Sequence, residues 1–308
     1  MSAVSLVTAA GQLVGGIALA PLLPGLVQHW KGRLQGRRGP SPLQPYRELR
    51  RLWAKSGVTV EGTTAVYRLA PAVVAASLAA AVLVVPLTSR APSLGLGHDA
   101  LVLVGLLALA RFAIAASAWD TANGFSLMGA SRDLTLAVFV EATLVLSLAV
   151  AALIATTTDL TGVVAATAGS PVWANPALAL GSLAFALVVI AETGRQPVDN
   201  PDTHLELTMI HEGPLLEYAG RDLAYLQLAA AARHWIVLAL AVQVFLPHPR
   251  EIWLQLALVP VGLVVLCGAL AVVETLVAKM RVLLVPRVLA IGAAAALLGI
   301  AAHLVGSL

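Results

Sequence analysis

Five charged side chains interrupt runs that are otherwise apolar: Arg111, Glu141, Glu192, Arg233 and Glu274. The apolar run 100–110 before Arg111 is too short to cross a bilayer, so its helix must continue through Ala118 and carry the guanidinium into the membrane. Residues 235–246 are too short in the same way, which starts their helix near Asp222 and buries Arg233. Glu141 lies inside a third run, while Glu192 and Glu274 lie near the ends of two others, where a side chain can also snorkel to the interface. Charges at such depth are costly and are retained where they line cavities or ion paths or pair with one another. These five are therefore read as a proton-coupling set, and no residue is assigned a catalytic role.

Depth suggests one specific pairing. The helix carrying Arg111 reaches its boundary near Trp119, and the next leaves the same boundary near Asp133. Arg111 and Glu141 then both lie roughly 12 Å below it, at 1.5 Å per residue. Each charge alone costs about 2.5–3.5 kcal/mol on insertion scales, and an ion pair offsets part of that. A proton arriving at Glu141 would free Arg111 to seek another acid. Other reactive types offer less. The single cysteine, Cys267, cannot by itself build a disulfide, an iron–sulfur cluster or a cysteine zinc site, and reads as a small buried hydrophobe. His204 and His211 could share a helix face but lack the i, i+4 spacing of helical metal pairs, so no metal site is assigned.

The elements that must position these charges follow from composition. Of 308 residues, 59% are hydrophobic and only 11% charged, against about a quarter in a soluble domain. Apolar stretches long enough to span occur at 3–23, 64–86, 99–119, 133–155, 175–192, 222–246, 252–275 and 283–306, separated by Pro, Gly or polar clusters. The reading is an all-α polytopic integral membrane protein: one transmembrane domain over 1–308, with about eight spans and a cytoplasmic interfacial helix. The first twenty residues lack a basic start, so they read as a retained span. Of the 19 Lys and Arg, all but Arg90 and Arg250 fall on one side of this arrangement. By the positive-inside rule that side is cytoplasmic, in the inner (cell) membrane, with both termini outside. The same asymmetry explains the sequence pI of about 9.4 without nucleic acid as a partner.

Two segments shape the basic side. In 39–55, Leu49, Leu52 and Trp53 fall on one helical face, with Tyr46 one turn earlier and Arg47, Arg50, Arg51 and Lys55 around the rest. That pattern describes an interfacial helix seated by its aromatics, entered through Pro40, Pro42 and Pro45. In 192–222, the acids Glu192, Asp199, Asp202, Glu206, Glu212, Glu217 and Asp222 crowd into a face otherwise basic, interleaved with apolar residues such as Leu205, Met209 and Leu215. Asn200-Pro201-Asp202 reads as a helix start, running to about Glu212 and stopping at Gly213-Pro214. Such a surface is expected to be packed or covered by a partner.

Four stretches carry a family resemblance: GPSPLQPYRELRRL from Gly39, LARFAIAASAWDTANGFSLMGASRD from Leu109, AETGRQPVDNPDTHLELTMIHEGPLLEYAG from Ala191 and VETLVAKMRVLLVP from Val273. In content and order the chain resembles the membrane subunit shared by formate hydrogenlyase, other group 4 nickel–iron hydrogenases and respiratory complex I. It is similar above all to the hydrogenase branch, of the formate hydrogenlyase subunit 4 type. The resemblance implies a coupling and anchoring subunit of an oxidoreductase complex. Its partners would be a soluble nickel–iron large subunit, a small subunit with an iron–sulfur cluster, and antiporter-like membrane subunits. It implies that Glu141 and Glu192 lie on a proton-linked polar path and that 39–55 is the helix that borders the quinone cavity in complex I. Hydrogenase relatives need no quinone, so a quinone site is doubtful and no cofactor is assigned to this chain. Gln227 stands where relatives often hold an acid. Asp199, Asp202, Glu206, Glu212, Arg195, Gln44, Arg47 and Arg50 are expected at the subunit interface. Two alternatives are the equivalent subunit of a quinone-reducing, NADH dehydrogenase complex and a stand-alone ion transporter. The transporter would favour paired Gly/Pro-broken helices at mid-membrane, and none are evident.

Overall fold

Polar residues at the ends of the apolar runs fix where the helices begin. Thr64, Asn123, Asp159 and Asn175 each accept a hydrogen bond from a first-turn N–H (3.2, 2.9, 3.3 and 3.0 Å), using oxygens to satisfy amides that have no helical partner. The computed structural model describes residues 3–88, 98–168, 172–199, 209–247, 249 and 251–306. In chain order the helices are α1 (Ala3–Leu19), α2 (Leu22–Leu34), α3 (Gln44–Trp53), α4 (Ala65–Val84), α5 (Asp99–Asp120), α6 (Gly124–Ala155), α7 (Leu160–Thr167), α8 (Pro176–Glu192), α9 (Gly220–Leu240), α10 (Ile252–Leu276) and α11 (Val285–Gly306). Among the described residues there is no strand. Seven helices are long and apolar enough to cross a membrane, taking Val7–Leu34 as one, and Pro176–Glu192 is a shorter apolar helix. The chain is a multi-pass, all-α membrane protein.

Four elements differ from the sequence expectation. The first span does not end at residue 23. After a break at Ala20–Pro21 it continues as α2 to Leu34, because Leu23 and Val27 find a buried face against α10. Lys31, expected in a loop, therefore lies on a helix and is 5% exposed. The fourth span begins at Gly124 and not at residue 133, since Asn123 caps it and no breaker follows before Asp133. At 32 residues α6 exceeds the ~20 that a bilayer requires, so its first turns extend toward the basic side. The short α7 lies between α6 and α8 where a plain connection was expected. Finally, the helix expected to reach Glu212 is absent at its described end: residues 209–212 are not helical, and a 3₁₀ turn forms at Gly213–Leu215. The expected start at Asn200-Pro201-Asp202 lies outside the described residues.

Packing places one helix at the centre. The most apolar window of α9, with the π-helical turn Ala241–Phe245 that continues it, is 89% buried, whereas the other long spans leave more than half of theirs at the surface. α4 lies along α5, α11 against α8 and α6, and α2 against α10. The exposed Val, Leu and Phe of the outer helices are the lipid-facing surface, because lipid tails do not drive such residues inward. α3 lies across the α9 start: Leu49 and Leu52 pack with Leu223, Ala224 and Leu228. Trp53 turns out to be 40% exposed, edge-on to Tyr225 at 6.5 Å, as suits a headgroup-level anchor.

Candidate functional site: a buried ion-pair chain

Arg111 is 3% exposed and meets three acids from three directions. Its Nη2 lies 2.7 Å from Glu192 Oε1, its Nη1 3.0 Å from Glu141 Oε1 and its Nε 3.7 Å from Asp133 Oδ2. The Arg111–Glu141 pair expected from depth is thus formed. It is one arm of a larger cluster that joins α5, α6 and α8. Glu192 does not snorkel; its side chain is 1% exposed and its Oε2 lies 3.6 Å from Nη1 of Arg233 on α9.

The chain of charges continues toward the basic side. Asp133 Oδ1 lies 3.8 Å from His211 Nε2, His211 Nδ1 lies 3.2 Å from Asp199 Oδ2, and Asp199 Oδ1 lies 2.9 Å from Lys279 Nζ. Arg233, Glu192, Arg111, Asp133, His211, Asp199 and Lys279 therefore alternate in sign from the central helix to the α10–α11 link, with Glu141 as a branch. With His211 protonated the cations and acids balance, so protonation of one imidazole decides whether the whole buried set is neutral. Such a chain can relay a proton or exchange pairing partners, since each acid touches a cation that has another acid within reach.

Local backbone chemistry holds the outer part in place. Gly194 has φ +61°, the left-handed region where glycine carries no steric penalty, and a Cβ there would come within 3.1 Å of His211 Nδ1. Asp199 also accepts the backbone N–H groups of Ile210 and His211, at 3.3 Å each. Burial disfavours the charge on both side chains of this pair, but their mutual contact outweighs it. The hydrogen bond from His211 and the Lys279 ammonium hold Asp199 well below the usual carboxylate range. Asp199 and Asp133 in turn raise His211 above its ordinary value. The loop's next anchor is Tyr218, stacked on Tyr67 at 4.5 Å and donating to the Tyr67 carbonyl at 2.9 Å.

A second cluster centres on Glu274. Glu274, whose side chain has no exposure, lies 3.2 Å from Lys31 Nζ and 3.2 Å from Arg195 Nη1, tying α10 to α2 and to the 193–199 loop. It stands near the end of α10, as the sequence indicates, and is buried there and does not snorkel.

The residues expected at the subunit interface differ in their placement within this chain. Asp199 and Arg195 are 6% and 5% exposed and are engaged within the chain, because the loop folds back on α6 and α10. Gln44 donates to Glu48 at 2.9 Å within α3, whereas Arg47 and Arg50 are exposed on the outer face of that helix. Glu212 is half-buried, and Asp202 and Glu206 lie outside the described residues. Sequence reasoning missed Asp133, Lys31 and Lys279 as site residues and considered His211 only as a metal ligand. Asp133 could have been found: it opens the expected run 133–155, and helical spacing places it two turns before Glu141 on one face. Lys31 carries no such signal, since its partner is remote in sequence.

Comparison with known proteins identifies the family and the fold. The family model described as NADH dehydrogenase matches residues 8–302. Formate hydrogenlyase subunit 4 of Escherichia coli strain K12 is 34% identical over 88% of this chain and 90% of its own length. Hydrogenase-4 component C of the same organism is 35% identical over 83% of this chain and 80% of its own. A chain in the structure of the membrane-bound sulfane sulfur reductase, an archaeal respiratory membrane complex, superposes with a TM-score of 0.84 over 97% of this chain and 99% of that one; at 18% identity that likeness is one of fold. With the family model covering nearly its whole length and those two relatives aligned across most of theirs, this chain belongs to the NADH dehydrogenase family of membrane subunits, alongside the formate hydrogenlyase subunit 4 type.

Proposed function

We propose that this chain is the membrane-anchoring and coupling subunit of a membrane-bound nickel–iron hydrogenase or formate hydrogenlyase complex. It seats the soluble redox module on the membrane and links turnover to proton movement. The observation that carries the reading is the alternating ion-pair chain from Arg233 to Lys279, buried in a chain whose relatives are named as hydrogenase components. Redox centres belong to the partners in this reading: nickel–iron in a soluble large subunit and iron–sulfur in a small subunit, with antiporter-like membrane subunits completing the ion path. The face with Arg47 and Arg50 on α3 receives the soluble subunits. That face is cytoplasmic in the inner membrane, with both termini outside, which follows from the basic-residue asymmetry.

The test uses the whole complex reconstituted in sealed vesicles. Glu192→Gln removes the acid that bridges Arg111 and Arg233. Turnover-driven proton movement is expected to fall by an order of magnitude or more, while dye reduction by the detached soluble module stays at its wild-type rate. Unchanged coupling removes Glu192 from the path. A second reading, the equivalent subunit of a quinone-reducing complex, draws on the family description. Reduction of a short-chain quinone analogue by the purified complex, abolished by substitutions on this chain, would favour it.

A further inference from the structure

A cavity of about 710 Å³ lies on the basic side, between α6 and the link from α10 to α11. Its size is that of a small-ligand site. Arg132, Lys279 and Arg281 line it, with the hydroxyls of Ser131 and Thr135 between them, and Leu136, Leu283 and Pro286 among its apolar residues. The polar lining belongs to the α10–α11 link and the early turns of α6. The apolar lining comes from Leu136 on α6, from Leu283 in the 3₁₀ turn Val282–Leu284 that leads into α11, and from Pro286 at the start of α11; Leu283 is 86% exposed.

Charge in this cavity is one-sided. No acid lines it. Lys279 is balanced by Asp199 at 2.9 Å; among the described residues Arg132 reaches the Met209 carbonyl, at 3.5 Å, and no acid. Among the described residues Arg281 makes no ion pair. Two guanidinium groups and two hydroxyls at the membrane boundary, over an apolar wall open to the lipid side, match a headgroup phosphodiester with its acyl chain beneath. We propose that this cavity is a binding site for an anionic glycerophospholipid, its phosphate held by Arg132 and Arg281. Basic pockets between spanning helices are suited to such headgroups, because a guanidinium meets phosphate with paired donors while the chain stays in hydrocarbon. Lys279 belongs to both the cavity and the ion-pair chain, so a phosphate here competes with Asp199 for its ammonium.

The test titrates the full-length chain in detergent with dioleoyl phosphatidylglycerol or dioleoyl phosphatidylcholine and counts bound lipid by native mass spectrometry. Phosphatidylglycerol is expected to bind at one site in preference to phosphatidylcholine, and the preference is expected to shrink as salt rises. Arg132→Gln with Arg281→Gln is expected to weaken phosphatidylglycerol about thirtyfold, from the usual worth of two basic groups beside an anionic lipid. Phosphatidylcholine binding should not change. Thr135→Trp, which fills the cavity and keeps every cation, is expected to lower phosphatidylglycerol binding as well. Equal binding of the two lipids to the wild-type chain overturns the proposal, as does a double variant that holds phosphatidylglycerol like wild type. Displacement of the lipid by millimolar inorganic phosphate alone would assign the site to free phosphate and also overturn it. The comparison of the two lipids on the wild-type chain stands even where a variant fails to fold.

Discussion

At the scale of single residues, Arg111 is the member of the site whose loss should cost most. It faces Glu192, Glu141 and Asp133 together, and Glu192 has almost no solvent to fall back on. Removing one partner of a buried pair leaves an uncompensated charge, at about 3–5 kcal/mol. Arg111→Met is therefore expected to lower thermal stability in detergent by that amount. Glu141→Gln leaves Arg111 facing Glu192 and Asp133, so it should cost less than half as much. The double variant should lose less than the sum of the two, by about 0.5–3 kcal/mol for groups in contact; simple additivity would mean that the charges act independently. His211 and Asp199 carry the pH dependence. His211 is raised above its ordinary 6.5, so its stabilisation is complete below that pH and is lost as pH rises through the raised folded value. Asp199 is lowered below its ordinary 3.8, so its stabilisation is complete above that pH and is lost as pH falls through the lowered folded value. The destabilisation caused by Asp199→Asn should accordingly be largest between pH 4 and 6.5 and shrink above it, read from melting temperatures across pH. A flat difference would show that the imidazole stays neutral.

At the scale of elements, the site depends on how closely the 193–219 loop approaches α6. Gly129 on α6 and Gly213 of the loop meet backbone to backbone, and a Cβ on Gly129 would stand 2.8 Å from Gly213 Cα. Gly129→Val is expected to cost about 1–3 kcal/mol through overpacking. It should also speed amide hydrogen exchange across residues 209–219, whereas an unchanged exchange pattern would show that the contact does not hold the loop. Gly194→Ala combines a left-handed backbone, about 1–2 kcal/mol for a residue with a Cβ, with pressure on the His211 ring. It should therefore reduce the pH dependence described above as well as the stability. The long α6 matters for the same reason. Asp133, in the part of α6 nearest its start, stands between Arg111 and His211 and connects the inner and outer halves of the ion-pair chain.

At the scale of the whole molecule, the central α9 brings Arg233 into a ring of outer helices that each face lipid on one side. Charge then separates by side, and the proposed orientation follows from it. Reporter fusions at Gly36 and after His303 should report opposite compartments, with Gly36 inside; a same-side result overturns the topology. Docking is addressed by the exposed face of α3. Replacing Arg47 and Arg50 together with Glu should detach the soluble module from membranes while the anchor keeps its melting temperature, measured by co-purification. Retention of the module would place the contact on another surface.

Hydrophobic runs, buried charges and basic asymmetry were all legible in the order of residues, because a bilayer demands about 20 apolar residues per helix and makes each charge inside it conspicuous. The Arg111–Glu141 contact was expected from a depth count that took residue 133 as the boundary; α6 begins at Gly124, so the same count puts Asp133 at the depth of Arg111, and the guanidinium reaches both acids. Family motifs added the kind of complex this chain resembles. Which further acids Arg111 would reach was not legible, because Glu192 and Asp133 meet it only once α8 and an extended α6 pack against α5. Asp199 and Arg195 looked like surface groups in a polar loop; tertiary folding turned them inward to Lys279 and Glu274. Pairings between residues distant in the chain depend on helix packing and loop closure. Apolar runs and local spacing constrain these only weakly, so here the tertiary structure alone decided them.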